Sequence, residues 1–305
     1  MKSTNQGILW AFLAALISGV SIFVNKFAVS AIGHPLVFTT SKNLAVAVIL
    51  FTGWLLSKNR GELKKLNRKQ LSYLLTVGVV GGSLPFYLFF TGLSAIPAAN
   101  AAIIHKSLVL WIAVLAPLFL NERLSKFQAV LVLSLFSANA FIGGFEGFKY
   151  SRGEMMILLA TFLWSLENIL AKKILPQLSA GTLATFRMGV GSVLLLGATL
   201  ATTSHPLAYL NLNPQNAVWL TVTILALCGY VLTWYKALKL SQAVTVSSIL
   251  VSATLVTNTL SAVFVTKTWS WPLGLQCLLI LAVITLLTVD EVKRGKVSDL
   301  ATAKT

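Results

Sequence analysis

The chain has 305 residues, of which 56% are hydrophobic and only 10% charged, and its mean hydropathy is +0.83. Soluble domains carry roughly 25% charged residues, so this balance excludes a soluble globular fold, a disordered chain and a disulfide-stapled module, and leaves a polytopic membrane protein. The net charge of +16 comes from basic residues scattered among short loops; with no recognition helix or basic-aromatic platform, it reports topology and contact with anionic membrane lipid, not nucleic-acid binding.

A spanning helix needs about 20 mainly apolar residues. In chain order the apolar runs fall at 7–30, 35–57, 70–92, 97–120, 126–144, 153–175, 180–203, 217–238, 243–266 and 270–289, which predicts an all-α membrane protein of ten transmembrane helices. The first run follows a single lysine and lacks a small-x-small cleavage site, so it is expected to be retained as a span. The third carries Gly78, Gly81, Gly82 and Pro85, and the fourth Pro117; such residues permit bending or close helix packing. Cys228 and Cys277 lie in apolar runs and read as small buried hydrophobes, with no ligand spacing for a metal and no cofactor motif.

With both termini cytoplasmic, seventeen of the 24 basic residues lie on the inside and three, Lys149, Arg152 and Lys267, on the outside. The positive-inside rule selects that orientation in the cell membrane. The remaining four, Lys26, Lys42, Lys106 and Arg187, fall inside spans.

Two halves of five spans, 1–148 and 149–305, invite comparison. "GILWAFLAALISGVSIFVNK" lies over "GEMMILLATFLWSLENILAK", placing Gly7 on Gly153, Ser21 on Glu167 and Lys26 on Lys172. After a one-residue slip Lys42 falls on Arg187, and "FFTGLSAIPAANAAII" matches "WYKALKLSQAVTVSSI" in pattern. An odd number of spans per half makes the repeats inverted, a plan that puts substrate near the midplane. Together with "APLFLNERLSKFQ" ending the fourth span and a basic residue early in the second span of each half, this resembles the EamA-type members of the drug/metabolite transporter superfamily. The resemblance implies ten helices around a central cavity and transport of small organic solutes. Asn121–Glu122 stand where that family usually has glycine and glutamate, and Lys267 occupies the corresponding place in the second half, a departure from the pattern.

The repeat sorts the buried charges. Those with a counterpart in the other half, Lys26, Lys42 and Arg187, are expected to be gating or scaffold charges. His105 and Lys106 fall on Leu250 and Val251, and Glu167 on Ser21, so these three are one-sided and are expected to meet a substrate or coupling ion. A charge deep in hydrocarbon costs from about 3 to over 10 kcal/mol, which argues for a function. Trp164 shares the helix face of Glu167, and Ser18, Ser21 and Asn25 share the equivalent face of the first span. Tyr87 and Trp234 in the third and eighth spans, and Ser248 and Ser252 in the ninth, complete the expected cavity wall.

These residues suggest a secondary transporter, not an enzyme, for small polar metabolites such as amino acids, working by alternating access, with export expected and the proton as candidate coupling ion. A Lys106–Glu167 ion pair would exchange partners with a zwitterion. The alternative solute class is anionic, sugar phosphates or nucleotide-sugars, because four cations stand against one core acid. A membrane-embedded enzyme would need His105 as base, yet zinc-ligand spacing, a nucleophile elbow and a phosphate loop are absent; a passive channel is the other alternative. The partners expected are the small-molecule substrate, lipid and protons, in a monomer or homodimer.

Overall fold

The computed structural model describes residues 2–96, 98–122, 124–142, 147–210 and 213–302, and all regular structure among them is helical. Helices α1 (Lys2–Ile32) and α2 (Pro35–Leu56) are the first two spans. The third is split into α3 (Arg68–Gly82) and α4 (Leu84–Ala95), and the fourth into α5 (Ala98–Lys106) and α6 (Leu108–Leu120). The fifth, α7 (Lys126–Ile142), precedes α8 (Arg152–Ile174), α9 (Ala180–Thr202) and α10 (Pro214–Leu240). The ninth span is split into α11 (Ala243–Leu250) and α12 (Ala253–Ser261), and α13 (Trp271–Thr302) runs past the expected end of the tenth. Among the described residues, nine stretches are long and apolar enough to cross a bilayer, and α7 supplies a shorter apolar tenth.

The helix ends follow from local chemistry. Ser151 with Glu154, and Asn67 with Gln70, form capping boxes that start α8 and α3. Asn213 caps α10 ahead of Pro214, and Ser179 caps α9. Asn121 ends α6 with φ 56°, and Lys267 follows the ninth span with φ 53°. Both are left-handed, which accounts for the glycine that the resemblance leads one to expect at 121; asparagine tolerates that conformation, and lysine adopts it at greater cost.

The interruptions have identifiable causes. Pro85 has no N–H to give to the Gly81 carbonyl one turn back, and α3 yields to α4 at Ser83 (φ −129°, ψ −75°). The fourth and ninth spans break in the same way. Ser107 Oγ donates to Ile104 O at 2.7 Å and Ser252 Oγ to Ile249 O at 2.7 Å, while each serine N–H bonds the same carbonyl. One turn of each helix thereby tightens to i→i−3 bonding.

Packing exchanges elements between the two halves: α1 lies against α10, α8 against α3 and α4, and α2 against α9. The contacts echo one another. A side chain at Gly7 would meet Leu240 Cβ at 2.9 Å, and one at Gly153 would meet Ala95 Cβ at 3.1 Å. Where α3 crosses α9 the backbones themselves touch, since a Cβ on Gly191 would fall 2.5 Å from Gly82 Cα. Outward faces expose Leu9, Leu16, Leu118, Leu133, Val193 and Leu225, as a lipid-facing surface requires.

Candidate functional site

Glu167 is buried on α8, with its side chain reaching α3, α9 and α10. Its Oε1 accepts from Tyr235 Oη at 2.5 Å and lies 3.9 Å from Arg187 Nε. The Arg187 guanidinium lies 5.8 Å from the centre of the Phe86 ring, and its Nε has no hydrogen-bond partner among the described residues. Glu167 is therefore paired with Arg187, correcting the expectation that it pairs with Lys106. Both partners come from one half of the chain, and Gly81 makes the room: a Cβ there would fall 2.9 Å from Glu167 Cδ and 3.0 Å from Arg187 Nε. The Gly81 carbonyl that Pro85 leaves free accepts from Trp164 Nε1 at 3.1 Å. One proline thus breaks the third span and turns the indole toward the break.

Lys42 is buried on α2, at 3% exposure, and no carboxylate reaches it among the described residues. Its Nζ donates to Asn25 Oδ1 at 3.1 Å, and Asn25 Nδ2 donates to Ser21 Oγ at 3.1 Å. The ammonium also sits 4.7 Å from the Phe38 ring centre and 5.9 Å from that of Phe90. Ring contacts and a neutral amide moderate the charge but do not cancel it.

His105 faces α8. Its Nδ1 is 3.4 Å from Thr161 Oγ1, and its ring lies 5.0 Å from Trp164 and 5.3 Å from Phe89. Adjacent helical side chains diverge by about 100°, so Lys106 points elsewhere. It is half-buried and makes neither a hydrogen bond nor an ion pair among the described residues. Phe86, Phe89, Phe90 and Trp164 form one aromatic wall that His105 joins, with the centroids of the four rings 5.3 to 6.4 Å apart.

Ser18, Ser21, Asn25 and Tyr87 are half-buried. Trp234 is buried and donates to Asn168 Oδ1 at 2.8 Å, bracing α10 on α8. Ser248 and Ser252 are buried and donate to carbonyls of their own span, Val244 and Ile249. The side chain of Lys26 lies outside the described residues. Sequence reasoning passed over Tyr235, Phe86 and Phe90; their signal was an aromatic residue on the helix facing each buried charge. Two cavities, about 410 Å³ beside α3 and about 320 Å³ between α12 and the start of α13, are lined by none of these charged groups. No cluster of three potential metal ligands occurs among the described residues.

One end of the bundle is clasped. Lys172 Nζ donates to Leu238 O at 2.6 Å and to Ser241 O, and lies 3.9 Å from Glu122 Oε1. Glu122 accepts from the Ala243 N–H at 2.8 Å, Gln242 N–H bonds Glu291, and Ser241 Oγ donates to Thr4 O. Burial raises the Glu122 carboxyl above its ordinary range, against the opposing pull of Lys172 and the Ala243 N–H. Lys172 thereby ties the ends of α8 and α10 to the loop after α6.

The description "EamA-like transporter family" matches this chain at residues 5–144 and 151–289. The chain is 27% identical over 206 residues to the "Uncharacterized transporter YyaM" of Bacillus subtilis (strain 168), across 64% of this chain and 65% of that protein. It is 24% identical over 208 residues to an "Uncharacterized transporter" of Methanothermobacter thermautotrophicus, across 62% and 60%. The matches thus span less than two thirds of either relative. A solved crystal structure superposes with a TM-score of 0.75 over 95% of this chain and 98% of its own, at 17% identity, which speaks to fold alone.

Proposed function

Because the chain belongs to the EamA-like transporter family, we propose that it carries small organic anions across the membrane by alternating access, without chemical conversion. The observation that carries this reading is the pair of uncompensated cations, Lys42 and Lys106. With Glu167 committed to Arg187, neither Lys42 nor Lys106 has a carboxylate of the protein beside it among the described residues. A buried cation is costly unless paired, so a solute that brings the missing negative charge is favoured over a neutral one. Substrate near the midplane between inverted repeats fits this placement, and the aromatic wall suits an apolar or planar body on the anion.

A second reading is a zwitterionic amino acid. The faces of Phe86, Phe89, Phe90 and Trp164 would receive its amino group and a lysine its carboxylate. The two readings separate in proteoliposomes. Labelled pyruvate, phenylacetate, glycerol 3-phosphate and phenylalanine are offered alongside glucose and phenylacetamide. Saturable uptake of one or more of the first three, lowered at least about tenfold in kcat/KM by K106Q, is expected. Uptake of phenylalanine alone selects the second reading, and uptake of glucose or phenylacetamide at the same rates as the anions refutes both.

A further inference from the structure

The pair of Arg187 and Glu167 has a counterpart in the first half from which the negative charge is missing. In the register that lays Gly7 over Gly153, Glu167 corresponds to Ser21; the slips noted above bring Arg187 onto Lys42 and Tyr235 onto Phe90. The correspondence is spatial as well. Tyr235 and Arg187 both reach the Glu167 carboxylate, while Lys42 lies 5.9 Å from the Phe90 ring and connects through Asn25 to Ser21. Gly7 and Gly153 make matching contacts with the ends of α10 and α4, so the two triads stand in matching frames.

In one triad a cation and a phenol both face a carboxylate, the phenol bonded to it and the cation beside it. In the other a cation keeps company with a hydroxyl and a plain phenyl ring. The first triad has lost both groups that complete the second: the carboxylate, and the hydroxyl that hydrogen-bonds it. What remains suits an incoming carboxylate. Lys42 Nζ supplies charge, Asn25 Nδ2 and Ser21 Oγ supply donors, and Phe38 and Phe90 flank the ammonium. Ser21 and Asn25 are half-buried, whereas Lys42, bonded to Asn25, is buried.

We propose that Lys42, Asn25 and Ser21 form a carboxylate subsite, and that a substrate carboxylate binds there in the place Glu167 fills in the other half. The protein's own Glu167–Arg187 contact then displays the geometry of the liganded state. On arrival the carboxylate takes Lys42 from Asn25 Oδ1, and the amide and hydroxyl turn their donors to its oxygens. This rests on the anion reading above and narrows it to carboxylates with an apolar body, since Phe86 and Phe90 stack beside the site with centroids 6.4 Å apart.

The test uses phenylacetate and its neutral analogue phenylacetamide on the full-length protein in nanodiscs, read by quenching of Trp fluorescence, with labelled uptake in parallel. Wild type is expected to prefer phenylacetate by at least about tenfold, equivalent to about 1.4 kcal/mol. S21E places a carboxylate where Glu167 stands in the other half, so it occupies Lys42 internally and brings that preference to about one; S21Q adds the same bulk without charge and keeps a preference. K42Q also abolishes the preference while K42R retains it, so the conclusion does not depend on the folding of S21E. A charge preference that survives in both K42Q and S21E, with anion uptake intact, overturns the subsite and leaves the anion reading standing. A wild type that neither binds phenylacetate nor moves any anion overturns both.

Discussion

Replacing Glu167 by glutamine tests how the core charges are arranged. Glu167 and Arg187 have side chains only 3% and 9% exposed, and the carboxylate is the one anion within 4.0 Å of the guanidinium among the described residues. Glutamine keeps the volume and still accepts from Tyr235 Oη, so the change removes charge and little else. Removing one partner of a buried ion pair costs about 3–5 kcal/mol, because the other is left uncompensated. At about 2 °C per kcal/mol for a chain of this size, E167Q should melt about 6–10 °C below wild type in a detergent thermal-shift assay followed by size-exclusion chromatography. The double variant E167Q/R187Q should recover at least half of that loss, because it removes the orphaned cation too. An E167Q protein that melts within 1 °C of wild type, or a double variant less stable than E167Q, would refute the assigned pair. Lys106 is the internal comparison: it has no carboxylate to lose, so K106Q should raise the melting temperature or leave it unchanged.

Four further outcomes follow from the same geometry. G191A drives a methyl group into the Gly82 backbone, where no side chain can turn aside, and should cost about 1–3 kcal/mol of stability through overpacking. K172M removes the donor to Leu238 O and Ser241 O, so spin labels at the clasped ends of α6 and α10 should report a wider distance distribution than in wild type. Glu122 sets the pH response of that clasp. A carboxyl raised in the closed end and ordinary when exposed holds its proton more tightly when closed, so closure should strengthen as pH falls through the raised value, and E122Q should flatten the dependence of the same distances on pH. If protons drive transport through Glu167, they must part it from Arg187; a pH-gradient dependence that persists in E167Q proteoliposomes would exclude that route.

What the sequence revealed and what it concealed divide along a physical line. Length and hydropathy act locally, so the spans follow from short stretches of chain. Depth in the bilayer is also legible, because residues can be counted from a span's end at about 1.5 Å each. Depth and one-sidedness together suggested Lys106 as the partner of Glu167, since both are charges within spans that lack a counterpart in the other half. The missing coordinate was azimuth, the direction in which each helix turns its side chains, and that is fixed by helix–helix packing. Gly81, Gly82 and Gly191 bring α3 against α9 closely enough for Arg187 to reach Glu167. Trp234 was singled out while its neighbour Tyr235 bonds the acid, because one residue along a helix is about 100° around it. The serine breaks at 107 and 252 were equally hidden, since a lone serine in an apolar run carries little signal. The repeat nevertheless supplies azimuth indirectly. If two halves share one packing plan, a contact observed in one specifies where to look in the other, and a charge that is balanced on one side and unbalanced on the other marks where a solute completes the set. Symmetry thereby turns the position of Glu167 into a statement about Ser21, which neither depth nor hydropathy could make.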